Sequence, residues 1–134
     1  MRVVFLGFVV LVVVLSFSFV LAGESYDLDF ADQSTQAVYL YEGDEVRFEL
    51  LGGTHVLLAS DVGTTSVKVR VRPFLERNET KVRPGIVGLD LLMIVDLDKD
   101  GTDDVNIGIY SIAEDGLVHF VLQDVTGQGG QEAT

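Results

Sequence analysis

The chain predicts an all-β fold, an antiparallel β-sandwich of about eight short strands behind an N-terminal hydrophobic segment. Apolar and polar residues alternate with period two in several separate runs. Gly-, Pro- and Asp-containing turn signals separate these runs every 8–12 residues, the spacing expected of a sandwich. No segment carries a convincing 3.6-residue apolar period.

The first segment is set apart. A single early arginine, Arg2, precedes an uncharged, largely apolar run from Val3 to Ala22. Val20-Leu21-Ala22 suits a signal peptidase, and polar sequence begins at Gly23-Glu24, so a secretory signal peptide is expected. The run is also long enough for a retained membrane anchor, which needs roughly 20 residues. A pilin-type leader cut after Gly7 is a third reading, weakened by the missing charge near the start of the following helix. The expected division is a signal peptide or N-terminal membrane anchor over 1–22, a sandwich over 23–126 and a disordered tail over 127–134. With Arg2 kept inside, the remainder lies outside the cytoplasm, extracellular or at the cell surface. Membrane contact is then expected only through residues 3–22, if the leader is retained.

The strands follow in order. Tyr26, Leu28 and Phe30 alternate with Asp27 and Asp29, and Gln36 to Tyr41 is a short β-rich run. After the turn at Glu42-Gly43-Asp44, Val46, Phe48 and Leu50 alternate with Arg47 and Glu49. Gly52-Gly53 breaks the chain before His55–Ala59. Val67, Val69 and Val71 alternate with Lys68, Arg70 and Arg72, the cleanest pattern in the sequence. Residues 73–85 hold both prolines and predict a surface loop. Ile86-Val87 and then Leu89 to Val95 are nearly continuous apolar sequence, which predicts a central strand covered on both faces. Val105, Ile107 and Ile109 resume the alternation, and Leu117 to Leu122 forms the last strand.

Composition narrows the function. The chain has no cysteine, so disulfides, thiolate metal sites and thiol nucleophiles are excluded. With no disulfide to lean on, an exported domain must be held by its own core or by bound metal. The net charge of −12 opposes binding to nucleic acid. It suits a soluble surface, a cation binder, or a protein of high-salt or hyperthermophilic origin.

One stretch departs from the strand pattern. Val95 to Val105, VDLDKDGTDDV, holds five aspartates and one lysine. Asp96, Asp98, Asp100, Gly101 and Asp104 fit the spacing D-x-D-x-D-G-x-x-D. Ca²⁺ takes six to eight oxygen ligands, and carboxylates at alternate positions converge if the chain curls around the ion. Gly101 permits that curl. The carbonyl of Thr102 would fill the seventh position of the loop, with Asp104 at the ninth and Asp103 facing solvent. An EF-hand is disfavoured, because position twelve is Ile107 and the flanks are β-rich. The loop resembles those of integrin-type FG-GAP repeats and, more loosely, thrombospondin type 3 repeats, over about fifteen residues. That resemblance implies Ca²⁺ at Asp96, Asp98, Asp100, Thr102 and Asp104. The alternative is a solvated acidic turn.

Six of the nine basic residues fall between Lys68 and Arg83. Lys68, Arg70 and Arg72 would project from one sheet face, either as a solvated face or as a contact surface for an acidic partner, including another copy of the chain. Asn78-Glu79-Thr80 is a glycosylation sequon. His55 and His119 lie in expected strands, and no nucleophile-elbow motif is present, so no enzyme activity is expected. Tyr39 and Tyr41 share a strand face and form a weak candidate platform for a polysaccharide.

The segment YEGDEVRFELLGG followed by VLLASDVGTTSVKVRV has a rhythm similar to secreted, S-layer-associated archaeal β domains. The resemblance implies a surface protein. The expected function is thus an exported, non-enzymatic structural module, stabilised by Ca²⁺ and acting through protein–protein contact or self-assembly. A carbohydrate-binding module is the alternative.

Overall fold

The computed structural model describes residues 23–31, 33–77 and 81–127. The expected leader, the sequon at Asn78 and all of the expected tail except Gly127 lie outside the described residues. Among the described residues nine strands form: β1 Ser25–Leu28, β2 Thr35–Leu40, β3 Glu45–Leu50, β4 Gly53–Val62, β5 Ser66–Arg72, β6 Arg83–Gly88, β7 Met93–Val95, β8 Val105–Ile112 and β9 Val118–Asp124. They pair into a five-stranded sheet ordered β1-β3-β4-β5-β6 and a four-stranded sheet ordered β2-β9-β8-β7. No described residue is helical. The expected all-β sandwich is present, with one parallel pair, β1 with β3, among otherwise antiparallel neighbours.

Alternation explains the layers. Side chains of successive strand residues point to opposite faces, so each run with one apolar face must bury it against a second sheet. Val46, Phe48 and Leu50 of β3, Leu57 and Ala59 of β4 and the three valines of β5 form the inner face of the larger sheet. Val38 and Leu40 of β2, Val105, Ile107 and Ile109 of β8, and Val118, Phe120 and Leu122 of β9 face them. Phe48 and Phe120, the largest fully buried side chains, anchor the two halves.

β3 and β4 join through a two-residue turn. Leu51 and Gly52 have φ of 55° and 73°, the pair of positive values that a tight hairpin of this type demands. The chain therefore breaks at Leu51-Gly52, and Gly53 already belongs to β4. Gly53 is glycine for a different reason: a β-carbon there would run into the ring of Phe74. Gly53→Ala should destabilise the protein by about 1–3 kcal/mol, because a packed ring gives way only by moving backbone. A drop in melting temperature beside the wild type checks this.

Two sequence expectations need correction. The surface loop over 73–85 is not wholly exposed. Pro73 and Phe74 are buried, and β6 begins at Arg83. The run Leu89–Val95 is not a central strand. Only Met93–Val95 is strand, at the edge of the smaller sheet, and Leu89, Leu91, Leu92 and Ile94 are exposed. The first half of the run is a turn that carries the chain from one sheet to the other. Gly88 and Leu91 exchange backbone hydrogen bonds there, at 2.9 and 3.2 Å. Apolarity alone does not distinguish a covered strand from such a turn.

Candidate metal centre

β7 and β8 are an antiparallel hairpin with Val95 opposite Val105, and residues 96–104 form the loop between them. Backbone bonding continues one step past the strands, where Asp104 N–H donates to Val95 O at 2.9 Å. The loop then curls. Lys99 and Gly101 take φ of 58° and 95°, a left-handed geometry that suits glycine. Asp96 receives Gly101 N–H at 2.7 Å and Asp100 N–H at 3.2 Å. Asp100 Oδ1 receives both the N–H of Thr102, at 2.9 Å, and its hydroxyl, at 2.7 Å.

The curl brings four carboxylates together. Asp96, Asp98, Asp100 and Asp104 each offer an oxygen, and these atoms lie within 4.8 Å of one another. This cluster can hold a metal ion. Thr102, the fifth residue expected from the sequence, is tied to Asp100 by both of its donors. Asp103 is exposed.

The cluster is asymmetric in its contact with solvent. Asp98 and Asp100 are exposed, whereas Asp104 is buried and receives Leu97 N–H at 2.7 Å. Burial pushes the Asp104 carboxyl up to about 6, and the nearby charges of Asp98 and Asp96 push in the same direction. The Asp98 carboxyl is also raised, by desolvation and then by its neighbours Asp96 and Asp100. Asp100 is lowered instead, chiefly by the Thr102 N–H. Carboxylates crowded this way repel one another, and a cation between them relieves the repulsion.

Arg83 of β6 completes the arrangement from the opposite sheet. Its guanidinium donates through Nη1 to the carbonyl of Asp96, and through Nη2 to that of Leu97 at 2.9 Å. The fork holds the backbone at the mouth of the loop. Sequence reading places Arg83 only among the clustered basic residues, because a contact between sheets leaves no local pattern. The burial of Asp104 is likewise hidden. Val105, Ile107 and Ile109 point inward, so simple alternation would turn Asp104 to solvent.

The other residues singled out from the sequence sit elsewhere. Lys68, Arg70 and Arg72 are all exposed on β5. Arg72 lies across Val56 from Arg47, and Arg70 lies between Leu58 and Pro84. Arg47, Arg70 and Arg72, with Val56, Leu58 and Pro84 but without Lys68, line a groove of about 530 Å³ on the outer face of the larger sheet. Tyr39 and Tyr41 do not make a matched pair. Tyr39 stacks on His119 with centroids 4.4 Å apart, and Tyr110 meets His119 edge-on at 5.2 Å. Tyr41 lies beyond β2, where its hydroxyl donates to Asp115 at 2.9 Å. His119 and Tyr110 come from β9 and β8, and a pairing so distant in sequence was not legible.

His55 is fully buried in β4. Its Nε2–H donates to Leu50 O at 2.8 Å, and its Nδ1 accepts Phe74 N–H at 2.9 Å. These bonds fix one neutral tautomer, and desolvation lowers the ring's affinity for a proton. Both nitrogens are thus engaged by backbone groups. Among known proteins, the chain matches no family model, no curated sequence and no solved structure.

Proposed function

We propose that this protein is a non-enzymatic structural module of the cell surface or extracellular space, stabilised by one Ca²⁺ ion and acting through protein–protein contact. The observation that carries the proposal is the convergence of the four carboxylates in the β7–β8 loop. The donor set is all oxygen and negatively charged, the chemistry preferred by a hard divalent cation. Asp96, Asp98, Asp100 and Asp104 would hold the ion, with the Thr102 carbonyl as a fifth donor. The likeness to FG-GAP and thrombospondin type 3 loops supports Ca²⁺ as the ion. An EF-hand's twelfth position would supply one more carboxylate, but here it is Ile107, fully buried in β8. The affinity should therefore be modest, on the order of 10⁻⁴ M, which suffices outside a cell.

The ion binds the folded hairpin and so favours the folded state by mass action. Exposed Lys68, Arg70 and Arg72 supply the contact surface for an acidic partner, in a chain that is otherwise strongly acidic. Export, through the apolar leader, suits a weak calcium site, and with no cysteine cross-links the exported domain relies on its core and on the ion. Glycosylation at Asn78 fits the same compartment.

Calorimetric titration of the protein with Ca²⁺ tests this, beside the variant Asp96→Ala/Asp98→Ala. The expected result is saturable binding near one ion per chain, absent from the variant, with a melting temperature that rises with calcium only in the wild type. No binding heat and no thermal shift would reduce the loop to a solvated acidic turn.

A second reading is favoured by one observation, the aromatic strip of Tyr39, His119 and Tyr110 on the outer face of the smaller sheet. Such rings can pack against the C–H faces of a sugar. A carbohydrate-binding module would lose retention by immobilised polysaccharide on Tyr39→Ala or Tyr110→Ala while its melting temperature stayed unchanged. Unaltered retention in both variants would rule that strip out.

A further inference from the structure

We infer that the turn at Leu89–Leu92 of one copy docks into the arginine-walled groove on the larger sheet of a second copy. The inference deepens the reading of the protein as a contact module and rests on it.

The groove combines two chemistries. Val56, Leu58, Leu75, Val82 and Pro84 form an apolar floor, and Arg47, Arg70 and Arg72 surround it, with Glu45 as the single carboxylate among the lining residues. On β5 the cationic side chains recur every second residue, and apolar residues of β4 and β6 flank them on either side. Arg47 approaches Glu45 at 3.7 Å with both side chains substantially exposed, a pairing that contributes little. The occupant that fits is an apolar segment bearing a carboxylate.

The turn has that composition. Leu89, Leu91 and Leu92 are 44%, 54% and 51% exposed, and exposed Asp90 sits among them. The turn is nonetheless ordered. Gly88 and Leu91 exchange backbone hydrogen bonds, and Leu89 N–H donates to Thr65 O at 3.0 Å. An ordered turn that displays three leucines to water exposes apolar surface with no gain to the isolated copy, and it enters a contact with little further loss of entropy. Its leucines match the floor, and Asp90 matches the arginines.

The turn cannot fill its own groove. Pro84 and Gly88 are four residues apart on β6, roughly 13 Å of extended chain, and the turn lies beyond that end of the strand, away from Arg72 and Val56. The contact therefore joins two different surfaces of two copies, and such head-to-tail contacts propagate into open chains unless a rotation closes them into a ring.

Sedimentation velocity over a range of protein concentrations tests the inference, with Ca²⁺ present and at low and high salt. Wild type should form oligomers that grow with concentration and recede with salt. Arg70→Glu/Arg72→Glu spoils the groove, and Asp90→Lys/Leu91→Ser spoils the turn. All four residues are exposed, so melts of both variants should match the wild type. Each variant alone should be monomeric, its association constant lowered at least about tenfold. An equimolar mixture of the two should give a one-to-one dimer and nothing larger, because it retains one good turn and one good groove. A wild type that stays monomeric throughout overturns the inference, as does either variant that still assembles or a mixture that yields no dimer. Melts of the same samples with and without Ca²⁺ keep the two ideas apart. Monomers stabilised by calcium would sink the docking contact and leave the metal-bound module standing, whereas no response to calcium would remove the module reading itself.

Discussion

Replacing Asp104 by asparagine should make the protein more stable without divalent cations and less stable with them. Asparagine keeps an oxygen to accept the Leu97 N–H but removes the buried charge. In the wild type the Asp104 carboxyl moves from 3.8 to about 6 on folding. The folded state therefore binds the proton more tightly than the unfolded chain, and cation-free stability falls as pH rises between those two values. Above pH 6 the accumulated cost is about 3 kcal/mol. Asp104→Asn should recover much of that at pH 7.5 in chelator, seen as a higher melting temperature. If Ca²⁺ is the ion held, as proposed, calcium should reverse the order. At a hundredfold excess over the dissociation constant a bound ion adds about 2.7 kcal/mol to the wild type, a shift on the order of 10 °C, and the variant forfeits most of it. Protons compete with the ion, so wild-type calcium affinity should weaken as pH drops through 6. Melts in chelator and in calcium, from pH 5 to 8, check all three parts. An asparagine variant that is less stable in chelator at pH 7.5 would contradict the assignment of a repulsive buried carboxylate.

The second large effect is expected at His55. His55→Ala should cost about 3–5 kcal/mol, because it opens a cavity and strands two backbone groups, Leu50 C=O and Phe74 N–H. The ring also packs 4.6 Å from Phe74 and 5.4 Å from Phe48, centroid to centroid. His55→Phe fills the space and loses only the hydrogen bonds, so its cost should be smaller, about 1–3 kcal/mol. Denaturant unfolding of both variants separates the two contributions. The pH dependence runs opposite to that of Asp104. A histidine whose proton affinity is lowered in the fold gives stability that is complete above its unfolded value near 6.5 and is lost as the medium becomes more acidic. In chelator, Asp104→Asn should therefore expose a simple acid-side loss of stability that the wild type partly masks.

How far the sequence carries the structure varies by element. β5 was legible because three valines alternate with three cations. The aspartate loop was legible because a curl around an ion demands a fixed local spacing, and the structure places the four carboxylates together. The Leu89–Val95 run was misread because leucines exposed in a turn and leucines buried in a strand look alike along the chain. The parallel pairing of β1 with β3, the fork from Arg83 to the loop and the contacts among Tyr39, Tyr110 and His119 are non-local. Each depends on which strands become neighbours, and a period-two pattern carries no record of that choice.

The segregation of charge has a kinetic consequence. Arg47, Lys68, Arg70 and Arg72 share the outer face of one sheet with Asp27, Glu45, Glu49 and Asp61, which leaves that face near neutral, while the aspartates of residues 96–104 crowd the hairpin loop of the other. The charge of this net anion is therefore unevenly spread, and its field acts over about 10 Å at 0.1 M salt, before surfaces touch. An approaching acidic body is repelled least from the face that holds the arginines, while still separated from it by water. For the contact proposed between copies, rates of encounter should fall with ionic strength, whereas its lifetime, governed by the apolar side chains of turn and groove, should change little. Stopped-flow measurements at graded salt would resolve the two, and the ratio of their salt slopes would report how much of recognition is completed in flight.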